Sequence, residues 1–238
     1  MIAFVFPGQG SQYVGMGKSL AEEFDVCRET LSQADLIIGE SLTELCFDGP
    51  EEALALTQNT QPAVLAVSIA AYRLLESRGI KPVFVAGHSL GEYSAHVAAG
   101  TISFADALRT VRRRGQYMQE AVPVGSGAMA AILGLDESVV RIACEEVADG
   151  EVVSPANLNA PGQIVIAGSS SAVQRASERA KALGARRVLK LPVSAPFHCS
   201  LMKPAQKRLE SELGRLIVSD PKVPVIANVD AEAKTDGR

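Results

Sequence analysis

The feature that most constrains the chain is Val83-Phe84-Val85-Ala86 running directly into Gly87-His88-Ser89-Leu90-Gly91. The fully apolar run predicts a strand of a parallel sheet covered on both faces, and Gly91–Ala99, closed by Gly100, reads as a helix. The pentapeptide between them matches G-x-S-x-G, and a strand before with a helix after is the context that motif requires. A strand that turns at once into a helix leaves no room for side chains two residues either side of the turn, so glycines stand at 87 and 91. Ser89 is thereby pushed out at the carboxyl end of the strand, above a helix N-terminus whose free N–H groups and dipole suit a developing oxyanion. Without the strand and helix, the same serine would be an ordinary loop residue.

The rest of the chain divides around this point. Ile2–Phe6 predicts a first strand, stopped by the loop Pro7-Gly8-Gln9-Gly10-Ser11-Gln12. A helix is expected around Ser19–Ala34, and another with Pro62 in its first turn, running through Leu75. Ser103 with Asp106 resembles a capping box for a helix that ends near Ala121. Beyond Pro123-Val124-Gly125-Ser126-Gly127 the rhythm changes. Strands at Ala128–Leu133, Val152–Ala156, Ile164–Ala167 and Arg187–Leu191 alternate with helices at Glu137–Val147 and Ala172–Leu183. The order βαββαβ is the ferredoxin-like signature, with Asn159-Ala160-Pro161-Gly162 turning between the two central strands. We therefore expect an inserted domain at 124–193 within a large α/β domain made of 1–123 and 194–238. The large domain would resume with a helix near Ser200–Leu216 and a strand at Val223–Asn228.

Composition narrows the class. At 238 residues and 47% hydrophobic, the chain can bury a sizeable core, but with 5% aromatics and no Trp it must build that core from Ala, Val, Leu and Ile. A net charge of −4 gives no expectation of nucleic-acid or membrane binding. No apolar run reaches the roughly 18 residues of a membrane span. The N-terminal apolar run lacks a basic n-region and reads as a strand, not a signal. Cys27, Cys46, Cys144 and Cys199 stand far apart, which fits a reducing cytoplasm, and no metal-ligand spacing is seen.

A serine hydroxyl needs a base, and three histidines compete. His88 is adjacent, but neighbours on a tight turn project differently, so a structural role is expected. His96 lies two helical turns on, roughly 10 Å along the axis. His198 stands in Ser194-Ala195-Pro196-Phe197-His198-Cys199, where the inserted domain would return the chain, and by elimination it is the best candidate.

With these residues in place, the sequence closely resembles the malonyl-CoA:acyl carrier protein transacylases of bacterial fatty-acid synthesis. The matching pieces are Phe6–Gln12, Gly87–Gly91, Arg114-Gly115, Asn159-Ala160-Pro161-Gly162-Gln163 and Pro196-Phe197-His198, spread over nearly the whole chain. The resemblance implies an α/β-hydrolase-like large domain with the ferredoxin-like insertion. It makes Ser89 the nucleophile that forms a malonyl ester and His198 the general base and later acid. The backbone N–H groups of Leu90 and Gln9 become the oxyanion hole. Gln61 and Asn159 become pocket residues, and Arg114 the holder of the free malonyl carboxylate.

Helical spacing fits the last role. Phe104, Leu108, Val111, Gly115, Met118 and Val122 form an apolar stripe, and Arg114 flanks it with no neighbouring charge to serve. Leu90 and Phe197 resemble the malonyl-selecting members of the wider family, and a Phe at 197 would crowd an α-branch. The implied partners are a coenzyme A thioester and an acidic acyl carrier protein, for which Arg186, Arg187 and Lys190 form a candidate docking cluster. No cofactor or metal is implied.

The resemblance also implies that family members continue past the position of Arg238. That continuation would supply further large-domain elements and the carbonyl that orients the base. Other readings are a sister acyltransferase serving a polyketide synthase in trans, a serine hydrolase or thioesterase sharing the elbow, and an inactive carrier-binding fragment. The hydrolase class normally places an acidic third member before its histidine and has no use for Arg114.

Overall fold

The computed structural model describes residues 1–123, 125–193 and 195–237. Val124, Ser194 and Arg238, on which the expected domain limits fall, lie outside the described residues. In chain order the elements begin with β1 (Ala3–Phe6), α1 (Lys18–Glu23), α2 (Asp25–Ile38), α3 (Leu42–Asp48), α4 (Glu51–Leu54) and α5 (Thr57–Ser77). There follow β2 (Phe84–Gly87), α6 (Leu90–Ala99), α7 (Phe104–Ala121), β3 (Gly127–Leu133), α8 (Glu137–Glu145) and β4 (Val153–Ala160). The chain then forms β5 (Gln163–Ser169), α9 (Ser170–Ala182), β6 (Arg187–Lys190), α10 (Lys203–Leu213), β7 (Val225–Ile226) and β8 (Ala233–Lys234). Contacts divide it into two compact units, Met1–Gln116 with Ser211–Arg238, and Tyr117–Glu210. No described helix is long and apolar enough to cross a membrane.

The first unit is a mixed α/β structure. Its sheet has the order β1-β2-β7-β8, with β1, β2 and β7 parallel and β8 antiparallel. The register sets Phe6 opposite Gly87 and Val85 opposite Val225, so the loops after β1, β2 and β7 all leave from one sheet edge. Leu31, Leu54, Leu65, Ile69, Leu90, Leu108 and Val111 are fully or almost fully buried in the helical layer. Each such side chain contributes about 1.5–3 kcal/mol.

Several helix limits differ from expectation for local reasons. The helix expected at 19–34 is two, because Phe24 is extended (φ −130°) between α1 and α2. Pro62 is not in a first turn: α5 begins at Thr57, so the proline sits inside the helix. A proline there removes the N–H that the carbonyl four residues back would accept. That carbonyl, Gln58 O, is instead met by Arg112 Nη1 of α7 at 3.1 Å. Ser103 does cap α7, its Oγ accepting the Asp106 N–H at 3.0 Å while donating to the Asp106 carboxylate at 2.7 Å.

The second unit holds an antiparallel sheet, order β4-β5-β3-β6, with α8 and α9 packed on it. Ile132, Val140, Ile164, Ile166 and Val173 form its core. β4 runs on to Ala160, past the expected end at 156, so Asn159 lies in the strand and the turn is Pro161-Gly162. Gly162 takes the positive φ (70°) that a tight turn requires. The four cysteines are free.

Candidate active site

The elbow is assembled by backbone crowding. A Cβ on Gly87 would lie 2.0 Å from the carbonyl carbon and oxygen of Gly91, and one on Gly91 would lie 2.4 Å from Phe6 O. The second glycine therefore admits β1 as well as permitting the turn. Gly8 is equally pressed: its Cβ would sit 2.5 Å from His88 O and 2.7 Å from His88 Nδ1. His88 thus packs against the first loop. Ser89 itself has φ 53° and ψ −105°, backbone angles that cost an L residue about 1–3 kcal/mol and persist only where the surroundings impose them.

Arg114, from α7, reaches this serine. Its Nη2 donates to Ser89 Oγ at 2.9 Å and its Nη1 to Gln61 Oε1 at 2.7 Å. The guanidinium also lies over the Tyr93 ring, 5.8 Å from the centroid. The three consecutive arginines have different employment. Arg112 pairs with Glu40 and Arg113 with Glu212, whereas Arg114 is directed at the Ser89 hydroxyl and a neutral amide. Burial pulls the Arg114 proton affinity below its ordinary value, opposed by Tyr93 and Glu92. Gly115 allows the approach, since a Cβ there would meet Gln58 Cα at 2.6 Å and Thr57 O at 2.7 Å. Gln61 is a buried residue of α5 (1% exposed), and Gln9 Nε2 donates to Thr57 Oγ1 at 3.1 Å. The first unit thus brings Ser89, Arg114 and Gln61 into direct contact and ties Gln9 to the N-terminus of α5.

The sequence assigned no role to Asn228, which follows β7. Its Oδ1 accepts the Ser89 N–H at 2.7 Å, its Nδ2 donates to Gly87 O at 2.6 Å, and its own N–H donates to Glu92 Oε1 at 2.8 Å. A polar amide at the carboxyl end of an apolar strand was the available signal. Burial raises the Glu92 carboxyl above its ordinary value, against the Asn228 N–H and Arg114, which lower it. With the Ser89 N–H committed to Asn228, the donor left at the helix start is Leu90 N–H, the first residue of α6, where a helix supplies no acceptor. His96 Nδ1 is buried without a hydrogen-bond partner among the described residues, and desolvation lowers its proton affinity. It lines an apolar cavity of about 340 Å³ with Tyr93, Ile102, Leu213 and Leu216.

The remaining candidates belong to the second unit. Ala195, Pro196 and Phe197 are buried while His198 is exposed, at φ 61°. The loop is clamped from below: a Cβ on Gly127 would lie 2.3 Å from the Pro196 ring, and Cys199 Sγ donates to Pro196 O at 3.1 Å. Phe197 packs in a core cluster with Met118, Val122, Met129 and Met202. Asn159 is exposed near the end of β4, beside a register irregularity between Leu158 and Ala160. Arg186, Arg187 and Lys190 are exposed along the edge strand β6. Strand alternation puts Arg187 and Lys190 on opposite faces, so they line the edge of the sheet and do not form a patch on one face.

A sequence profile described as acyl transferase domain matches residues 3–238. The chain belongs to the acyl transferase family. It is 54% identical over 236 residues to the malonyl CoA-acyl carrier protein transacylase of Escherichia coli strain K12, covering 99% of this chain and 76% of that protein. Among solved structures, the acyl carrier protein S-malonyltransferase of Vibrio cholerae O1 biovar eltor matches with a TM-score of 0.95 at 52% identity, covering 99% of this chain and 77% of that one. A malonyl-transacylase in complex with its type II PKS acyl-carrier protein matches with a TM-score of 0.96 at 50% identity, covering 99% and 76%.

Proposed function

We propose that the chain transfers a malonyl group from malonyl-CoA to the phosphopantetheine thiol of an acyl carrier protein, in fatty-acid biosynthesis. The observation that carries this reading is Arg114, a partly buried cation that donates to Ser89 Oγ and has no carboxylate in ion-pair contact among the described residues. An acyl group bearing its own carboxylate supplies that partner, bidentate geometry suits it, and binding it releases the serine hydroxyl. An acetyl group would leave the guanidinium without an anion. Gln61, Asn159 and Phe197 are assigned to the acyl pocket, with Phe197 disfavouring an α-branch.

In the first half-reaction Ser89 Oγ attacks the thioester carbonyl while His198 takes the hydroxyl proton. The oxyanion is held by the N–H groups of Leu90 and Gln9. Collapse breaks the C–S bond, and coenzyme A leaves with the proton from His198. In the second, the carrier thiol gives its proton to His198 and attacks the ester. The C–O bond breaks, and the proton returns to Ser89. Every proton and charge is accounted for by side chains and backbone, so the scheme calls for no metal or redox cofactor.

We assign these roles to an α/β-hydrolase-like large domain (1–123 and 194–238) with a ferredoxin-like insertion (124–193). The parallel β1-β2-β7 arrangement around the elbow supports the first, and the βαββαβ order with sheet order β4-β5-β3-β6 supports the second. Arg186, Arg187 and Lys190 are assigned to carrier docking, where rim charges govern association rate and its salt dependence.

The test is intact-protein mass spectrometry after brief exposure to malonyl-CoA, with Ser89→Ala as control. A malonyl adduct confined to Ser89 and discharged by carrier protein is expected. Release of free malonate faster than transfer would establish a hydrolase instead, and carrier binding without an adduct would establish a non-catalytic carrier-binding protein.

A further inference from the structure

We propose that Asn228 is the positioning residue of the nucleophile elbow, holding Ser89 in its strained conformation and removing the serine's own N–H from the oxyanion site. The argument starts from the angles of Ser89, φ 53° and ψ −105°. Glycine would adopt them freely, but the nucleophile cannot be glycine, so something must hold the residue there. The turn's own hydrogen bonds, Gly91 N–H to His88 O at 2.9 Å and Glu92 N–H to Ser89 O at 3.1 Å, act on the helix side. On the strand side His88 N–H donates to Phe6 O at 3.1 Å, and a single carboxamide bonds to both Ser89 N–H and Gly87 O.

Asn228 spans the elbow, accepting from Ser89 N–H at 2.7 Å and donating to Gly87 O at 2.6 Å. One planar group thereby sets the peptide before the nucleophile and the carbonyl two residues upstream at once. The backbone that carries the carboxamide is itself tied down, because the Asn228 main-chain N–H donates to Glu92 Oε1 at 2.8 Å. The segment after it closes on itself through Ala227 N–H to Glu232 O at 3.0 Å and Ala231 N–H to Ala227 O at 2.9 Å. Both hydrogen-bonding ends of an amide are needed here. Aspartate would keep the acceptor toward Ser89 but turn an oxygen toward Gly87 O, and a smaller residue would reach neither. A misplacement of about 1 Å at a nucleophile costs on the order of 100-fold in rate.

The malonyl arm of the test rests on the transferase reading, so a second arm does not. Wild type, Asn228→Ala and Asn228→Asp are each reacted with malonyl-CoA and, separately, with a fluorophosphonate that labels activated serines irrespective of acyl preference. Rate and final amplitude of labelling at Ser89 are both followed. Ile69→Val, a buried substitution of α5 remote from the elbow, controls for general loss of stability.

The expected result is near wild-type amplitude with labelling about 100-fold slower for Asn228→Ala in both arms. The apparent affinity for malonyl-CoA should change by less than about threefold, Asn228→Asp should be impaired as well, and Ile69→Val should keep the wild-type rate. Unchanged rates in the Asn228 variants overturn the proposal, as does a fall in amplitude alone, which would mark a purely structural residue. Wild-type labelling by the phosphonate but not by malonyl-CoA would sink the transferase reading and leave Asn228 to be judged on the phosphonate rates. Labelling by neither would overturn the positioning role, since Ser89 would not be a nucleophile.

Discussion

The two sheets solve different problems. The antiparallel sheet of the second unit is held by a long regular ladder, seven residue pairs from Gly127–Ser169 to Leu133–Gln163, over an aliphatic core. Its edge strand β6 carries Arg187 and Lys190, a charged edge of the kind that discourages further pairing. The parallel sheet of the first unit is short, with four-residue strands β1 and β2, and its loops are pressed together until only glycine fits. Regular pairing stabilises without strain; crowding at the strand ends holds one residue in a conformation it would not choose. The first kind of structure builds a support and the second holds a serine hydroxyl outside the sheet in a strained turn.

This contrast breaks most severely at Gly87. Gly87→Ala puts a methyl 2.0 Å from the backbone of Gly91, with 2.4 Å to Glu92 N, and neither neighbour can step aside without undoing the turn. We expect a destabilisation of about 4 kcal/mol or more, or no soluble protein, read by urea unfolding. Next, Arg114→Ala should cost acylation by malonyl-CoA about 1.5–3 kcal/mol, roughly 10- to 150-fold, the range for a lost charged hydrogen bond. Acetyl-CoA should lose far less, so the selectivity ratio falls; equal losses for both thioesters would remove Arg114 from substrate choice.

In the second unit the nearest atoms to a Cβ of Gly127→Ala are those of the Pro196 ring, at 2.3 Å. A proline ring is bonded to its own backbone nitrogen and yields only if the loop shifts with it, so about 1–3 kcal/mol is expected, with the larger consequence a displaced His198 and a slower transfer.

The smallest effect is that of Glu92→Gln, seen in the pH dependence of stability. Burial raises the Glu92 carboxyl above the ordinary value of 4.5, so the folded protein holds this proton more tightly than the unfolded chain. Stability from this group is complete below pH 4.5 and is lost as pH rises from there through the raised folded value. Glutamine keeps an acceptor for the Asn228 N–H and removes the charge. Urea midpoints of wild type and variant should therefore keep a constant offset below pH 4.5, with wild type declining relative to the variant above it. A wild type that gains on the variant with rising pH would show that Glu92 is stabilised as the anion.

Much of the site was legible because the motif is local. The apolar strand, the glycines at 87 and 91, the serine between them and the helix behind all follow from steric rules acting over nine residues. The alternation that predicts β3, α8, β5 and α9 is likewise local, and those elements appear within a few residues of their expected limits. The stripe on α7 was legible too, since a helix fixes which neighbours lie 3 and 4 residues away, and Arg114 beside it reaches Ser89 Oγ and Gln61 Oε1. What escaped was non-local or very short. Helices α3 and α4, of 7 and 4 residues, are too brief to show a period. Pro62 is tolerated within α5 only because Arg112, from another helix, takes up the carbonyl it strands.

By itself the sequence determined the alternating α/β character, the strand–turn–helix elbow and the serine that stands at its apex, because each depends on geometry that repeats within a turn or a strand. Only the tertiary structure decided which groups reach Ser89. Arg114 of α7 is brought to it by close helix packing at Gly115. Asn228 is brought to it by parallel pairing of β7 with β2, across 139 positions of chain. A hydrogen bond is set by angstroms in space, and separation along the chain carries no information about that distance until the sheet has closed.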